Sequence, residues 1–211
     1  MTTIVYDKQK QTLSVDSRIT DFNIDLCEDF HNKLMYFGNV SLTACGDQIQ
    51  WVTACGDCNQ IEKFYNAMQT HKSVEAVLVY YGRALVEPEL EVYMLAKSGK
   101  LYTCSPKEIG NPVNNLIDSH VMRLYEVTVK PGFRYIVAGT GLSYANFSFR
   151  LIGNSCDIDG EQLLHVLARV DRYTGGPVRT GSSYSSRIKV ASTLKAKTKR
   201  LLKANYDKLF S

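Results

Sequence analysis

The sequence lacks any apolar run approaching the roughly 18 residues that a membrane-spanning helix needs. Its N-terminus also lacks the apolar segment of a signal peptide. These two absences predict an intracellular, cytoplasmic protein with no membrane partner. Cysteine is present but unorganised: six residues at 27, 45, 55, 58, 104 and 156 do not form the disulfide framework of a short secreted chain. Cys55 and Cys58 have metal or redox spacing, with Cys45 as a third candidate ligand, yet no second Cys pair or nearby His completes four zinc ligands, so packed thiols are expected. The four histidines (31, 71, 120, 165) share no motif and supply no Cys/His nucleophile. A glycine-rich phosphate loop is missing too, which argues against a built-in ATPase. No cofactor and no metal are expected.

Acidic residues are scarce at one end only. From Arg187 to Ser211 eight Lys or Arg stand against Asp207 alone, a local charge of +7. With a total of +4, the first 186 residues are left at −3, so the basic character belongs to the tail. Leu194, Leu201, Leu202, Leu209 and Phe210 alternate with these cations as in a basic helix. Such a helix either packs on the body or a neighbouring subunit, or meets an acidic partner. Only Tyr206 and Phe210 offer stacking, so an acidic protein fits better than nucleic acid.

What is present is enough for a full core. At 211 residues and 45% hydrophobic, the chain fits one large domain or two small ones. Residues 2–6 and 12–16 are β-prone runs around a polar stretch and read as a hairpin. Strand character continues through 33–57. Cys58 to Thr70 then carries Ile61, Phe64, Tyr65 and Met68 at helical spacing. The stretches 74–86, 90–96, 100–104 and 133–138 are β-rich. Gly141 to Ile152 and Gly160 to Val170 are helical, the second with Asp159 as its cap. Residues 180–186 have linker composition. This order predicts an α+β protein of two stacked, mainly antiparallel sheets covered by helices. The division expected is a domain over 1–180, then a linker and basic helical tail over 181–211. One string repeats: Thr43-Ala44-Cys45-Gly46-Asp47 returns as Thr53-Ala54-Cys55-Gly56-Asp57, marking two strands with similar turns or a small duplication.

Thr2 draws attention because a start methionine is trimmed ahead of a small residue. A mature Thr2 would carry a hydroxyl and a free α-amine on one residue, joining nucleophile to general base. Thr2-Thr3-Ile4-Val5 with Asp16-Ser17-Arg18 resembles the opening of the proteasome β-type and HslV-type N-terminal-nucleophile (Ntn) hydrolases. Lys33-Leu34 followed by Ala44-Cys45-Gly46-Asp47 resembles that family's lysine strand and the glycine beyond it. Ala138-Gly139-Thr140-Gly141 resembles its Gly-Ser-Gly turn, and Val170-Asp171-Arg172-Tyr173-Thr174-Gly175-Gly176 its Asp-x-x-Ser/Thr-Gly-Gly segment. Four motifs thus fall in family order between residue 2 and about residue 178, closest in flavour to short proteasome-like proteins of bacteria and their phages.

The resemblance implies the αββα four-layer Ntn-hydrolase sandwich and a threonine-type peptidase or amidase. It makes Thr2 the nucleophile after loss of Met1, Lys33 a fixed cation beside it, and Asp16 the carboxylate holding Lys33. Gly46 would offer its N–H to the oxyanion, although the repeat leaves Gly56 as an alternative. Thr140, Asp171 and Thr174 would orient the amine and a lytic water, with threonines standing where the family has serines. A polypeptide substrate, a homo-oligomer and a separate unfoldase follow from the same resemblance. A catalytically silent assembly or binding protein, acting through its surface and basic tail, is the competing reading.

Overall fold

The computed structural model describes residues 2–21, 26–28, 31–81, 90–110, 117–151 and 158–209. The chain divides into two units, one of Met1–Leu34 with Val129–Ser211 and one of Met35–Thr128. The first unit opens with β1 (Thr3–Asp7), β2 (Thr12–Val15), β3 (Ile19–Asp21) and β4 (Leu26–Glu28). The second unit holds β5 (Met35–Tyr36), β6 (Thr43–Ala44), β7 (Asp47–Cys55), α1 (Cys58–Thr70) and α2 (Val74–Tyr81). It continues with β8 (Glu91–Ala96), β9 (Leu101–Gly110) and β10 (Ile117–Glu126). The chain then returns to the first unit with β11 (Tyr135–Gly139), α3 (Leu142–Leu151) and α4 (Gly160–Leu167). It ends with β12 (Val178–Ser182), β13 (Ser185–Ala191) and α5 (Ala196–Leu209).

In the first unit, five antiparallel strands run in the order β11-β1-β2-β12-β13. The hairpin expected at the N-terminus is β1–β2, with Ile4 opposite Val15. Asp7 closes it: its buried carboxylate accepts from the amides of Gln9 and Lys10 at 3.1 and 3.3 Å. Arg134 grips the same carboxylate with two bonds of 2.9 and 2.7 Å, and the Gly160 amide adds a third contact at 3.3 Å. One acidic side chain thus ties the hairpin to the entry of β11 and the start of α4. All of α4 is buried, and Leu163, Leu164, Val166 and Leu167 share a core with Val5, Val137 and Val178. Burial of this kind is worth roughly 1.5–3 kcal/mol per large aliphatic side chain.

In the second unit the sheet order is β10-β9-β8-β7-β5, again antiparallel, with β6 pairing the start of β7. Phe64, Met68, Val74 and Val77 from α1 and α2 share its core with Ile49, Val52, Val92 and Met94. The α+β class expected from the sequence is the class observed: among the described residues, two large antiparallel sheets, a small β3–β4 ladder and five helices. No helix among the described residues is long and apolar enough to cross a membrane.

Three local readings change. Residues 74–81 are helix, not strand. Ser73 Oγ accepts from the Ala76 amide at 3.2 Å, and the buried Val74 and Val77 lie three apart, so side-chain capping and tertiary burial outweigh the β-propensity of Val and Tyr. The rest of that stretch, 82–86, lies outside the described residues. Residues 180–186 are not a linker but the end of β12, a turn and the start of β13, so the sheet runs across the boundary expected at 180/181. The Ser-rich composition that resembles a flexible tether is here an edge hairpin. Finally, β10 pairs β9 along its length, although Asp118, Ser119, His120, Arg123 and Glu126 dilute its alternation.

The repeated string performs two different tasks. In the first copy, Cys45 and Gly46 both have positive φ (49° and 83°) and form the two-residue turn of the β6–β7 hairpin. In the second, Thr53–Cys55 ends β7 and Asp57 caps α1, accepting from the Asn59 and Gln60 amides at 2.9 and 3.0 Å.

Candidate active site

Thr2 is 6% exposed and stands at the head of β1, its carbonyl accepting from the Thr140 amide at 3.2 Å. This bond extends the β1–β11 ladder by one step, beyond the Thr3–Gly139 pair. The residue before the strand is therefore held by the turn that leads into α3.

Asp16 follows β2, and its wholly buried carboxylate is the centre of a donor set. Oδ1 accepts from the Thr3 amide at 2.9 Å and from Lys33 Nζ at 3.1 Å. Oδ2 accepts from the amides of Arg18 and Gly175 at 3.2 and 3.4 Å. Lys33, whose side chain is 10% exposed, also donates to the Arg18 carbonyl. The cation is thus fixed by one carboxylate and one carbonyl from the same Asp16-Ser17-Arg18 turn. Burial pushes the Asp16 carboxyl above its ordinary value, against the pull of Lys33 and of the Thr3 and Gly175 amides.

Thr140, Asp171 and Thr174 converge on Thr3. Thr3 Oγ1 lies 3.0 Å from Thr140 Oγ1, 2.5 Å from Thr174 Oγ1 and 3.0 Å from the Gly141 amide. Thr174 in turn donates to Asp171 Oδ2 at 2.5 Å. A hydroxyl has one proton and two lone pairs, so these contacts fix the direction of the chain. Thr174 gives its proton to Asp171 and accepts from Thr3. Thr3 then accepts from Thr140 and from the Gly141 amide. The result is a directed relay, Thr140 to Thr3 to Thr174 to Asp171, in which Thr3 is fully occupied and fully buried. Such a hydroxyl is a structural clamp, not a nucleophile. The resemblance gives these three residues to the amine of Thr2; in the structure their hydroxyls and carboxylate form a chain through the next residue, Thr3, while the Thr140 amide donates to the Thr2 carbonyl. The Thr2-Thr3 doublet was the one signal that a second hydroxyl stood there.

Two glycines allow close approaches around the relay, Gly141 to Thr3 itself and Gly175 to Arg18. A Cβ on Gly141 would sit 2.4 Å from Thr3 Cγ2, and one on Gly175 would sit 2.4 Å from the guanidinium carbon of Arg18. Ser17 completes the frame: its amide donates to the Gly175 carbonyl at 3.0 Å, its hydroxyl to the Pro177 carbonyl, and Arg179 donates to its oxygen. Arg179 also reaches the His31 carbonyl at 2.7 Å. Gly141 and Gly175 stand in two of the family-like motifs without a role of their own, and Arg179 was not singled out, since their value lies in close approach across the fold.

Gly46 belongs to the second unit, in the β6–β7 turn, where a Cβ would meet nothing within 4 Å. The preceding Cys45 amide is taken by Glu75 Oε1 at 2.7 Å. Gly56, the alternative, has φ of 127° and leads into the cap of α1. Cys45, Cys55, Cys58 and Cys104 form no disulfide, and among the described residues no group of three or more His, Cys, Asp or Glu is placed to hold a metal.

No protein-family sequence model matches this chain, and no curated protein matches it in sequence. Solved structures do. A mutant of Anbu from Hyphomicrobium sp. strain MC1 aligns with a TM-score of 0.58 at 11% identity, covering 99% of this chain and 94% of that one. BPH from Thiobacillus denitrificans, solved in complex with epoxomicin, gives 0.53 at 10% identity over 90% of this chain and 100% of BPH. Eukaryotic HslV from Trypanosoma brucei gives 0.50 at 12% identity over 85% and 97%. At such identities the likeness is one of fold. The chain shares its fold with these Anbu, BPH and HslV structures.

Proposed function

We propose that this protein is a threonine-type peptidase or amidase whose nucleophile is Thr2, exposed by removal of Met1. The observation that carries the reading is the buried Asp16–Lys33 pair, built from the turn whose Asp16 also binds the Thr3 amide. In the proposed reaction the Thr2 α-amine accepts the hydroxyl proton, and Oγ1 attacks the scissile carbonyl. The C–N bond breaks, the proton passes to the leaving amine, and an acyl ester remains. Water, deprotonated by the same amine, cleaves that ester and restores the hydroxyl.

Each residue has a physical task in this scheme. An α-amine titrates near 8, and the Lys33 ammonium beside it favours the neutral, proton-accepting form. Asp16 keeps Lys33 in place. Thr140, Asp171 and Thr174 act through Thr3, clamping the strand so that the amine and hydroxyl of Thr2 are pre-positioned. The substrate is polypeptide. In keeping with the proteasome-like fold, the enzyme works as a homo-oligomer supplied by a separate unfoldase, and the outer cations of α5 meet an acidic protein.

Mass determination of the native N-terminus is the decisive experiment, with loss of Met1 expected. Epoxomicin, the compound held in the Thiobacillus denitrificans BPH structure, should then label Thr2, and Thr2→Ala should abolish labelling and turnover while leaving the fold intact. Retention of Met1 in active protein would sink the proposal, because the amine would then be an amide.

A further inference from the structure

Behind the Thr174–Gly175 segment lies a cavity of about 490 Å³, wholly within the first unit. Three cations line it from three parts of the chain: Arg18 after β2, Arg169 after α4 and Lys199 in α5. Ser192 and Thr193 add hydroxyls, and no acidic residue among the described ones lines it. The nearest carboxylates on α4 and its cap are already engaged. Glu161 meets Lys189 at 2.5 Å, and Asp159 meets Lys195 at 2.9 Å. Among the described residues, no carboxylate lies within ion-pair distance of Arg169 or Lys199.

One further observation points to an anion, a conflict of charge at α5. This helix has no acidic residue in its first turn and carries Lys197, Lys199 and Arg200 within its first five positions. A helix N-terminus already bears partial positive charge, so cations there are unfavourable unless an anion offsets them. Arg18 is meanwhile held ready: Nη1 donates to the Arg172 carbonyl at 2.6 Å, and its guanidinium lies against Gly175.

We infer that this cavity, formed by the Thr174–Pro177 segment, the end of α4 and the start of α5, binds the phosphate group of a small ligand. Guanidinium forks, an ammonium and two hydroxyls match the several acceptor oxygens of a phosphate, and the volume suits a small organic phosphate. The inference stands independently of the peptidase reading. Its consequence for that site is positional: Arg18 binds the ligand with its side chain while its carbonyl holds Lys33.

The test is calorimetric titration of the full chain with inorganic phosphate at constant ionic strength, with acetate in parallel. A saturable one-to-one isotherm is expected, weakened at least about tenfold by Arg169→Ala or by Lys199→Ala and unchanged by Lys203→Ala on the same helix. Arg169 and Lys199 are exposed, so circular dichroism should show both variants folded. The inference is overturned if phosphate does not saturate, if the two variants bind as the wild type does, or if Lys203→Ala loses as much. Acetate binding as tightly as phosphate would overturn the assignment to phosphate.

Discussion

Lys33 Nζ lies 3.1 Å from Asp16 Oδ1, and the carboxylate that receives it is completely shielded from solvent. A pair in this setting is weak as a source of net stability, yet removal of one partner strands the other in a low-dielectric site. Lys33→Ala should therefore cost about 3–5 kcal/mol in urea unfolding. It should also reduce turnover by a larger factor than its effect on KM, because the lost cation acts on the amine and not on substrate binding. Lys33→Arg tests the geometry, since the planar fork cannot reproduce a point charge shared by Asp16 and the Arg18 carbonyl. Equal activity in all three proteins would remove Lys33 from the mechanism.

The same carboxylate links activity and stability to pH with opposite signs. Burial raises the Asp16 pKa, so on acidification it takes up a proton before an ordinary carboxylate near 4 does. Lys33 then loses its partner, and the acid limb of the kcat profile should fall above pH 4. For stability, a raised folded-state pKa means that the native protein binds this proton more tightly than the unfolded chain. The contribution of Asp16 is therefore fully present below the unfolded pKa and is lost as pH rises through the folded one. Asp16→Asn should flatten that part of the stability profile, as read by urea midpoints from pH 3 to 7 in steps of about half a unit.

Thr3 makes a sharper case for position over chemistry. Thr3→Val keeps the shape and removes the hydroxyl, leaving the Gly141 amide, Thr140 and Thr174 short of a partner in a buried site. The expected loss is about 1–3 kcal/mol of stability, with Thr3→Ser recovering most of it. Labelling of Thr2 by epoxomicin should slow in Thr3→Val but not vanish. Complete loss of labelling in a folded Thr3→Val protein would give Thr3 a chemical role that its saturated hydrogen bonding argues against.

Much of this arrangement was legible along the chain where a local signal and the tertiary demand agreed. The β1–β2 hairpin follows from two β-prone runs around a polar stretch, and the span of α1, Cys58–Thr70, from the helical spacing of its apolar residues. Lys33 and Asp16 were paired by family resemblance, and they meet in the structure. Where the two demands disagreed, the sequence misled. Val74–Tyr81 has strand-forming residues but a helical burial pattern, and Thr180–Ser186 has linker composition but pairs β12 with β13. Thr3 was illegible for another reason. Its partners are Thr140, Gly141 and Thr174, all more than 130 residues away, and nothing in a Thr-Thr doublet says which hydroxyl will be buried.

The basic tail is docked, and Asp159 is the residue through which acid should loosen it. Lys195 and Lys10 approach this carboxylate at 2.9 and 3.5 Å, and the Gln162 amide donates to it at 3.0 Å as the cap of α4. Burial disfavours the charge here, but the Lys195 hydrogen bond, the Gln162 amide and the two ammonium groups outweigh it and hold the pKa below its usual value. A lowered folded-state pKa contributes stability that is present above the unfolded pKa and is lost as pH falls through the folded one. Both lysines are about half exposed, so screening limits the pairs to about 1 kcal/mol in total. Asp159→Asn keeps a capping oxygen and removes the charge; it should cost no more than that at pH 7 and nothing below the folded pKa. Asp159→Ala also removes the cap, and should cost about 1 kcal/mol more at every pH. If the Asn and Ala variants track each other across the whole range, the cap contributes nothing and α5 is held by Leu194, Leu201 and Leu202 against the first unit's core.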